Sequence, residues 1–309
     1  MKALSKVSII IVNYNAGSLL LECVERVFAS AGVILELFIV DNASDDGSLD
    51  TIRSVYANEA RLNIIQNNEN LGFARAANCA LIEAQNQYLL FLNPDCLIQT
   101  DTLQLFCQLL NDAPNVGMAG PLVLNEDGSE QTSSRRDVPT PGKALARVLY
   151  LHKFWPSRFP SFELTQQPLP EQPTELEGIS GACMFVRREA LEQVGPLDET
   201  YFLHCEDLDW FMRFRAQEWR ILFAPHINVT HIQGSCSRRE PIKVLWYKHR
   251  GMVKFYRKFF RTQYPALLML GVISMVWVRF ALLAALQFIM PASSPHPLPE
   301  SSRSARLSR

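Results

Sequence analysis

The stretch Tyr88-Leu89-Leu90-Phe91-Leu92-Asn93-Pro94-Asp95 decides the predicted fold of this chain. Its apolar and aromatic half is typical of a strand buried on both faces, and Asn93-Pro94 ends that strand just before the carboxylate of Asp95. Asp95 is therefore predicted to lie at the carboxyl end of a strand. In sheets that alternate strands with helices, this edge binds ligands, because rigid strands hold variable loops there. A solvated turn acid is the alternative interpretation of Asp95 taken alone.

Strands and helices are predicted to alternate around this stretch. The predicted strands are Val7–Val12, Leu35–Val40, Leu62–Gln66 and Tyr88–Leu92, and the helices that follow them are Ser18–Ser30, Leu49–Tyr56, Phe73–Ala84 and Thr102–Leu110. The alternation predicts right-handed crossovers and an α/β fold with a doubly wound sheet. The sequence contains no Gly-rich dinucleotide motif after the first strand and no P-loop motif, so phosphate must be held differently. A divalent cation that bridges Asp95 to two diphosphate oxygens would do so.

The second half of the chain is less regular. Residues 125–177 are rich in Pro, Ser, Gln and Glu, and they are predicted to form a mobile excursion in which only Ala144–Trp155 has a helical pattern. In Gly178–Ala182, two glycines permit close backbone approach to a ligand. The remaining predicted elements are strands at Cys183–Val186, Arg220–Phe223 and Val229–His231 and a helix at Arg188–Val194.

Three acids, Glu206, Asp207 and Asp209, open a further predicted helix that runs to Gln217. Acids at a helix start cap the free N–H groups and complement the helix dipole, which is the structural interpretation of this cluster. The functional interpretation is that the cluster supplies a carboxylate for proton transfer.

Composition places the chain among globular proteins with an added apolar segment, since 48% of its 309 residues are hydrophobic and 20% are charged. The net charge of −1 gives no indication of a nucleic-acid partner. The apolar run 7–12 is too short for a signal peptide and predicts a cytosolic first strand. The cysteines form no CxxC pair, so reduced core residues are expected rather than disulfides or a zinc site. They are Cys23, Cys79, Cys96, Cys107, Cys183, Cys205 and Cys236.

Two C-terminal segments are predicted to associate with a membrane. Residues 241–264 mix aromatic side chains with basic ones, as a helix lying in a headgroup layer does. Residues 265–290 are apolar apart from Arg279 and, as a helix, are long enough to cross a hydrocarbon core of about 30 Å. A buried core helix or an in-plane hairpin is the alternative. The basic residues before this segment would keep the first domain, residues 1–240, in the cytoplasm. The Pro- and Ser-rich tail, residues 291–309, is predicted to be disordered.

Several short motifs occur in a fixed order along roughly the first 240 residues. They are Ile11–Asn15, Val40–Ser48, Asn70–Ala74, Leu92–Asp95, Gly181-Ala182, Glu206–Asp209, and His231 with Gly234 and Ser235. In this order they resemble the nucleotide-sugar glycosyltransferases of family 2, and bacterial rhamnosyltransferase-like members in particular. That resemblance implies the GT-A fold, a Rossmann-like doubly wound mixed sheet, and transfer with inversion at the anomeric carbon.

The resemblance also implies a nucleotide-sugar site. Asn13 and Asp41 would border the base, with Asp41 accepting a hydrogen bond from a ring N–H of uracil or thymine. The other implied donor-site residues are Asn15, Asn42, Arg75, Asn78, Asn93 and Asp95.

Asn93-Pro94-Asp95 stands where the family has a DxD motif, so Asp95 is the carboxylate left to bind Mg²⁺ or Mn²⁺ there. His231 would be a second ligand, since imidazole suits Mn²⁺ better than Mg²⁺. A structural, hydrogen-bonded histidine is the alternative.

The catalytic assignment implied by the family is Asp207 as general base, with Glu206 beside it. Inversion by direct displacement needs one carboxylate to take the proton of the attacking hydroxyl. Gly181, Ala182 and Asp209 are expected on the acceptor side.

The sequence therefore predicts an inverting glycosyltransferase that moves a sugar, with rhamnose as one candidate, from a nucleoside-diphosphate sugar to a lipid-linked or cell-surface glycan acceptor. Its predicted location is the bacterial cytoplasmic membrane, with the catalytic domain in the cytoplasm. A metal-dependent nucleotidyltransferase is one alternative, although Asn15–Ser18 lacks the basic residue that such an enzyme would show after its first strand. A catalytically silent GT-A-like binding protein is the other, and the presence of Asp95 and Asp207 argues against it.

Overall fold

The computed structural model describes residues 4–132, 134–148, 151–155, 158, 163–232 and 240–289. The predicted disordered tail at 291–309 lies outside the described residues, as do Gly234, Ser235 and Cys236. The helices are α1 Ser18–Phe28, α2 Ser48–Val55, α3 Phe73–Leu81, α4 Thr102–Asp112, α5 Pro141–Val148, α6 Leu151–Phe154, α7 Arg188–Val194, α8 Glu206–Ala216, α9 Pro241–Phe260 and α10 Ala266–Ile289. The strands are β1 Ser5–Asn13, β2 Val33–Asp41, β3 Leu62–Gln66, β4 Tyr88–Leu92, β5 Cys96–Ile98, β6 Val116–Leu124, β7 Arg135–Arg136, β8 Thr174–Glu175, β9 Gly178–Ile179, β10 Cys183–Arg187 and β11 Arg220–His231.

One mixed sheet organises the described residues, with strand order β3-β2-β1-β4-β10-β6-β11-β5 and β8 added to β11. Strands β1 to β4 pair in parallel, whereas β10 runs antiparallel between β4 and β6. Every residue of β4 is buried, as its apolar sequence predicts. The predicted mixed α/β fold, with its first four strand and helix pairs, is confirmed.

Strand register decides which loops meet at the functional edge. Asn13 pairs with Asp41 in the β1–β2 ladder, so the carboxyl ends of these strands lie side by side. Cys183 pairs with Leu92, which brings the amino end of antiparallel β10 to the edge where parallel β4 ends. The segment before Cys183 therefore lies beside the loop that holds Asp95.

In the main sheet outside residues 125–177, two strands were not expected from the sequence, and a third is longer than expected. β5 and β6 have no predicted counterpart, while the predicted pieces Arg220–Phe223 and Val229–His231 form the single strand β11. An irregularity in the pairing with β6, between Ala224 and Asn228, separates the two pieces and explains the broken pattern.

Parts of residues 125–177 pair with strands outside this segment, and the prediction of a loose excursion is wrong for those parts. β7 pairs with β9, and β8 pairs with β11. Arg135 is only 4% exposed and forms an ion pair with Glu130 at 2.8 Å. These contacts place the neighbouring Arg136 at the functional edge.

Helix α9, which follows the predicted division at residue 240, packs against the globular core. Its Phe255 and Tyr256 are buried in the same apolar cluster as Trp210 of α8. Lys254 and Lys258 form ion pairs with Asp198, at 3.2 and 2.8 Å. The apolar face that suggested a headgroup layer is covered by protein.

Helix α10 packs along α9 on one side only. The rings of Trp246 and Trp277 lie 5.0 Å apart, and Met269 is buried. The opposite side exposes large apolar side chains, which include Leu267, Leu270, Val278, Leu282, Leu286 and Ile289. By length and composition, Ala266–Gln287 could cross a membrane.

Candidate active site

The carboxyl ends of β1 and β2 are joined by buried side-chain hydrogen bonds. Asn13 Nδ2 donates to Asp41 Oδ1 at 2.7 Å, and the backbone N–H of Ser44 donates to Asp41 Oδ2 at 3.0 Å. Asp41 is 0% exposed, so in this conformation it holds the loop after β2 and has no surface for a nucleobase. Its predicted contact with a ring N–H stays a prediction that requires this loop to move.

Other predicted donor-site residues support neighbouring loops. Asn15 Oδ1 accepts from the N–H of Asp45 at 2.9 Å, and Asn42 Nδ2 donates to the carbonyl of Gly72 at 3.2 Å. Asn42 is 2% exposed, so it holds the start of α3 against the end of β2.

The two predicted donor-site residues on α3 differ in their surroundings. Arg75 is exposed. Asn78 Nδ2 donates to the carbonyl of Leu197 at 2.9 Å and to Glu199 Oε1 at 3.0 Å. This conformation gives Asn78 a bracing role, and its contact with a nucleotide sugar stays a prediction.

Asp95 and His231 come together because β5 pairs with β11. Cys96 lies opposite His231 in that ladder, and Asp95 Oδ1 is 3.1 Å from His231 Nε2. Their side chains are 7% and 11% exposed, respectively. The third ligand-type atom nearby, Cys96 Sγ, donates to the carbonyl of Ala182 at 3.4 Å, and burial raises the pKa of this thiol well above its ordinary value. Cys96 is therefore a protonated core thiol.

Gln131 fixes the orientation of the His231 ring. Its Nε2 donates to Asn125 Oδ1 at 3.1 Å and to the carbonyl of His231 at 3.2 Å, which identifies Oε1 as its acceptor atom. Oε1 lies 2.7 Å from His231 Nδ1, so Nδ1 carries a hydrogen and donates it. A neutral His231 then directs the lone pair of Nε2 at the carboxylate of Asp95.

The Asp95–His231 pair fits a divalent cation. Asp95 Oδ1 and His231 Nε2 direct lone pairs at each other across 3.1 Å, and a cation bound to both atoms would stabilise this arrangement. The same separation matches the distance between two neighbouring ligand atoms of an octahedral ion, which is about 3 Å when the bonds to the metal are about 2.1 Å long. A protonated His231 paired directly with Asp95 is the metal-free alternative.

The Gly181-Ala182 segment contacts both the Asp95 loop and Asp207. The N–H of Asn93 donates to the carbonyl of Ala182 at 2.9 Å, which ties the Asp95 loop to this segment. A Cβ built on the neighbouring Gly181 would lie 2.8 Å from Asp207 Oδ2. The side chain of Asp207 is 15% exposed, whereas that of Asp95 is nearly buried at 7%.

Arg136 contacts Asp207 directly, and no sequence motif predicted this contact. Its Nη2 forms an ion pair with Asp207 Oδ2, while its Nε donates to the carbonyl of Ile179 at 3.2 Å. Arg136 comes from β7, within the segment that was predicted to be mobile. No periodic pattern marked this arginine, because only the pairing of β7 with β9 brings it to the site.

The other two acids of α8 have different surroundings. Glu206 is 8% exposed, and burial followed by the charge of Asp207 raises its pKa to about 8. Asp209 is 0% exposed and pairs with Arg213 Nε at 2.7 Å and Lys258 Nζ at 2.6 Å. Residues two apart on a helix face away from each other, so Asp209 lies away from Asp207 in this conformation, and its place on the acceptor side stays a prediction.

Comparison with known proteins identifies the family. A model of the family described as glycosyl transferase family 2 matches residues 8–195. The chain belongs to glycosyl transferase family 2. The family 2 assignment confirms the predicted resemblance and makes the chain an enzyme of the hexosyltransferase type.

Similar proteins include two rhamnosyltransferases. N-acetylglucosaminyl-diphospho-decaprenol L-rhamnosyltransferase of Mycobacterium tuberculosis is 26% identical over 80% of this chain and 82% of its own length. The rhamnosyltransferase WbbL of Escherichia coli is 24% identical over 58% of this chain and 59% of its own length. Among solved structures, a Pyrobaculum calidifontis mannosyltransferase in complex with GDP-Man and Mn²⁺ has a TM-score of 0.58 and 19% identity, covering 99% of this chain and 80% of the other. That likeness confirms the GT-A fold of this family 2 glycosyltransferase.

Proposed function

We propose that this glycosyltransferase moves a sugar, with rhamnose as the first to test, from a nucleoside-diphosphate sugar to a hydroxyl of a lipid-linked acceptor, with inversion. The observation that supports the proposal is the Gly181-Ala182 segment, which contacts the loop of the Asp95–His231 pair through Ala182 and Asp207 through Gly181 at one sheet edge. Direct displacement requires such an arrangement, since the leaving group and the attacking hydroxyl lie on opposite sides of the anomeric carbon.

On the donor side, Asp95 and His231 would hold a Mg²⁺ or Mn²⁺ ion. Such an ion supplies positive charge to the departing diphosphate. The hydrogen bond from His231 Nδ1 to Gln131 keeps the ring directed at this position. The Mn²⁺ and GDP-Man bound to the similar mannosyltransferase support the assignment.

On the acceptor side, Asp207 would take the proton of the attacking hydroxyl. Burial and the charge of Asp207 raise the pKa of the neighbouring Glu206 to about 8, so Glu206 is largely protonated at neutral pH and is a poor candidate for the base. Arg136 occupies Asp207 Oδ2 and must share or release this oxygen when the acceptor binds. Proton transfer by a positioned carboxylate contributes typically about 10²- to 10⁴-fold to the rate.

A lipid-linked acceptor explains the exposed side of α10. The apolar side chains there suit insertion into the surface of a bilayer, and the basic residues of α9 suit anionic headgroups. The similar M. tuberculosis enzyme is named for a lipid-linked compound, N-acetylglucosaminyl-diphospho-decaprenol. We therefore place the protein at the cytoplasmic face of a bacterial inner membrane.

A panel of nucleotide sugars with Mg²⁺ or Mn²⁺ tests the proposal. We expect release of a nucleoside diphosphate from at least one sugar donor, and faster release when a lipid-linked acceptor is present. Consumption of a nucleoside triphosphate would favour a nucleotidyltransferase instead. An absence of binding to any donor would favour a silent binding protein.

A further inference from the structure

Helix α9 packs directly against the loop that precedes Asp207. The thiol of Cys205 contacts the carbonyl of Lys248 at 3.9 Å, and a Cβ built on Gly251 would lie 2.9 Å from the carbonyl oxygen of His204. Lys248 is exposed. These contacts place Lys248 beside the start of α8, close to the proposed base.

Helix α10 places a second cation, Arg279, beside the part of α9 that carries Lys248. The ring of Phe280 lies 5.6 Å from the ring of His249 and 5.5 Å from that of Trp246. Arg279, the residue before Phe280, is therefore next to the turn of α9 that carries Lys248. It is the charged residue of an otherwise apolar helix.

The charges around Asp207 do not balance among the described residues. Arg136 contacts Asp207. Part of the Lys248 surface is exposed, but the protein atoms around it reduce its hydration, and this effect, followed by the charge of Arg279 and then that of Arg136, lowers its pKa. Burial, and then Lys248, lower the pKa of His204 to about 4, so this ring is neutral. Glu206 is largely protonated at neutral pH. Arg136, Lys248 and Arg279 thus bring three cations to this region, and of the three Arg136 contacts Asp207 directly.

We propose that Arg136, Lys248 and Arg279 form a cation cluster that binds the diphosphate of a lipid-diphosphate-linked acceptor, between the base Asp207 and the apolar side of α10. The cluster has an excess of two positive charges, and an acceptor diphosphate carries about two negative ones. A sugar on this diphosphate would extend toward Asp207, and its lipid would follow the exposed side chains Val278 and Leu282. The inference rests on the proposed function.

The same phosphate chemistry occurs in the sugar donor and in anionic phospholipids. The donor diphosphate is expected at Asp95 and His231, which Gly181-Ala182 connects to Asp207. Binding to anionic membrane phospholipids would instead depend on all the basic residues of α9, wherever they lie on the helix. The experiment therefore separates the three sources of phosphate.

Lys248→Gln and Arg279→Gln are compared with Arg257→Gln, which removes an exposed basic residue elsewhere on α9. The measurements are KM for a sugar-diphosphate-lipid acceptor, KM for the donor, and transfer to a phosphate-free alkyl glycoside of the same sugar. We expect KM for the diphosphate acceptor to rise on the order of 10-fold in both variants, since charge-assisted hydrogen bonds are the strong ones. Donor KM and transfer to the glycoside should be unchanged, and Arg257→Gln should match the unmodified protein.

Three results would overturn the proposal. These are an unchanged KM for the diphosphate acceptor, an equal rise in donor KM, or the same rise in Arg257→Gln. Transfer to the alkyl glycoside also shows that each variant is folded and active. If the unmodified protein transfers sugar to neither acceptor, the proposed function fails, and that failure is distinct from failure of the cation cluster.

Discussion

Gly181→Ala should impair catalysis without unfolding the protein. The new Cβ would lie 2.8 Å from Asp207 Oδ2 and 3.3 Å from Asp207 Cγ. Since carbon atoms pack at about 3.5 to 4.0 Å, the carboxylate would have to move by roughly half an ångström or more. Arg136 and the N–H of Leu208 bind the same carboxylate, so the shift would also disturb their contacts. We expect kcat to fall on the order of 10- to 100-fold, or about 1.4 to 2.7 kcal/mol in activation free energy.

The assay is the initial rate of sugar transfer at saturating donor and acceptor, with Tm measured in parallel. Gly142→Ala is the matched control, because a Cβ there would meet nothing closer than 3.8 Å. We expect this control to keep its kcat. A folded Gly181→Ala protein with unchanged kcat would refute the reasoning, since it would show that the position of Asp207 does not matter.

Three further predictions follow from buried polar groups. Gln131→Leu removes the acceptor of the hydrogen bond from His231 Nδ1 and should raise the Mn²⁺ concentration needed for activation by about 10- to 100-fold. The measurement is the rate of sugar transfer as a function of Mn²⁺ concentration, and an unchanged curve would argue against a metal role for His231. Lys258→Met removes one of the two cations of fully buried Asp209 and should cost about 2 kcal/mol in urea unfolding, whereas an unchanged midpoint would contradict that reading of the pair. Glu206 has a raised pKa, from 4.5 to about 8, so its stabilising contribution is complete below pH 4.5 and lost as pH rises to about 8. The contribution of Glu206 to the free energy of unfolding should therefore fall over this range, so the unmodified protein should lose stability relative to Glu206→Gln as pH rises from 4.5 to about 8.

The sequence predicted those parts of the fold whose signals are local. β4 is a continuous apolar run that ends in Asn-Pro-Asp, and both its burial and the position of Asp95 at its end follow from that run. The edge strand β5 is only three residues long, so nothing local distinguished it from a loop. Its pairing with β11 nevertheless determines that His231 meets Asp95.

Residues that act through distant contacts could not be predicted from pattern alone. Arg136 and Gln131 reach the site because strands far apart in sequence pair with each other. Asp209 was assigned to the acceptor side because three acids stood together, although helical geometry turns it toward Arg213 and Lys258. The apolar face of α9 has the same period whether it covers a membrane or a protein core, so periodicity could not distinguish the two.

Asp207→Asn tests the central claim most directly. The substitution keeps the size of the side chain and removes its capacity to take a proton at neutral pH. Transfer to acceptor and donor binding by calorimetry are measured on the same protein. We predict that transfer falls by about 10²- to 10⁴-fold while the Kd for the nucleotide sugar is retained. Turnover at the unmodified rate would contradict the assignment of Asp207 as the base.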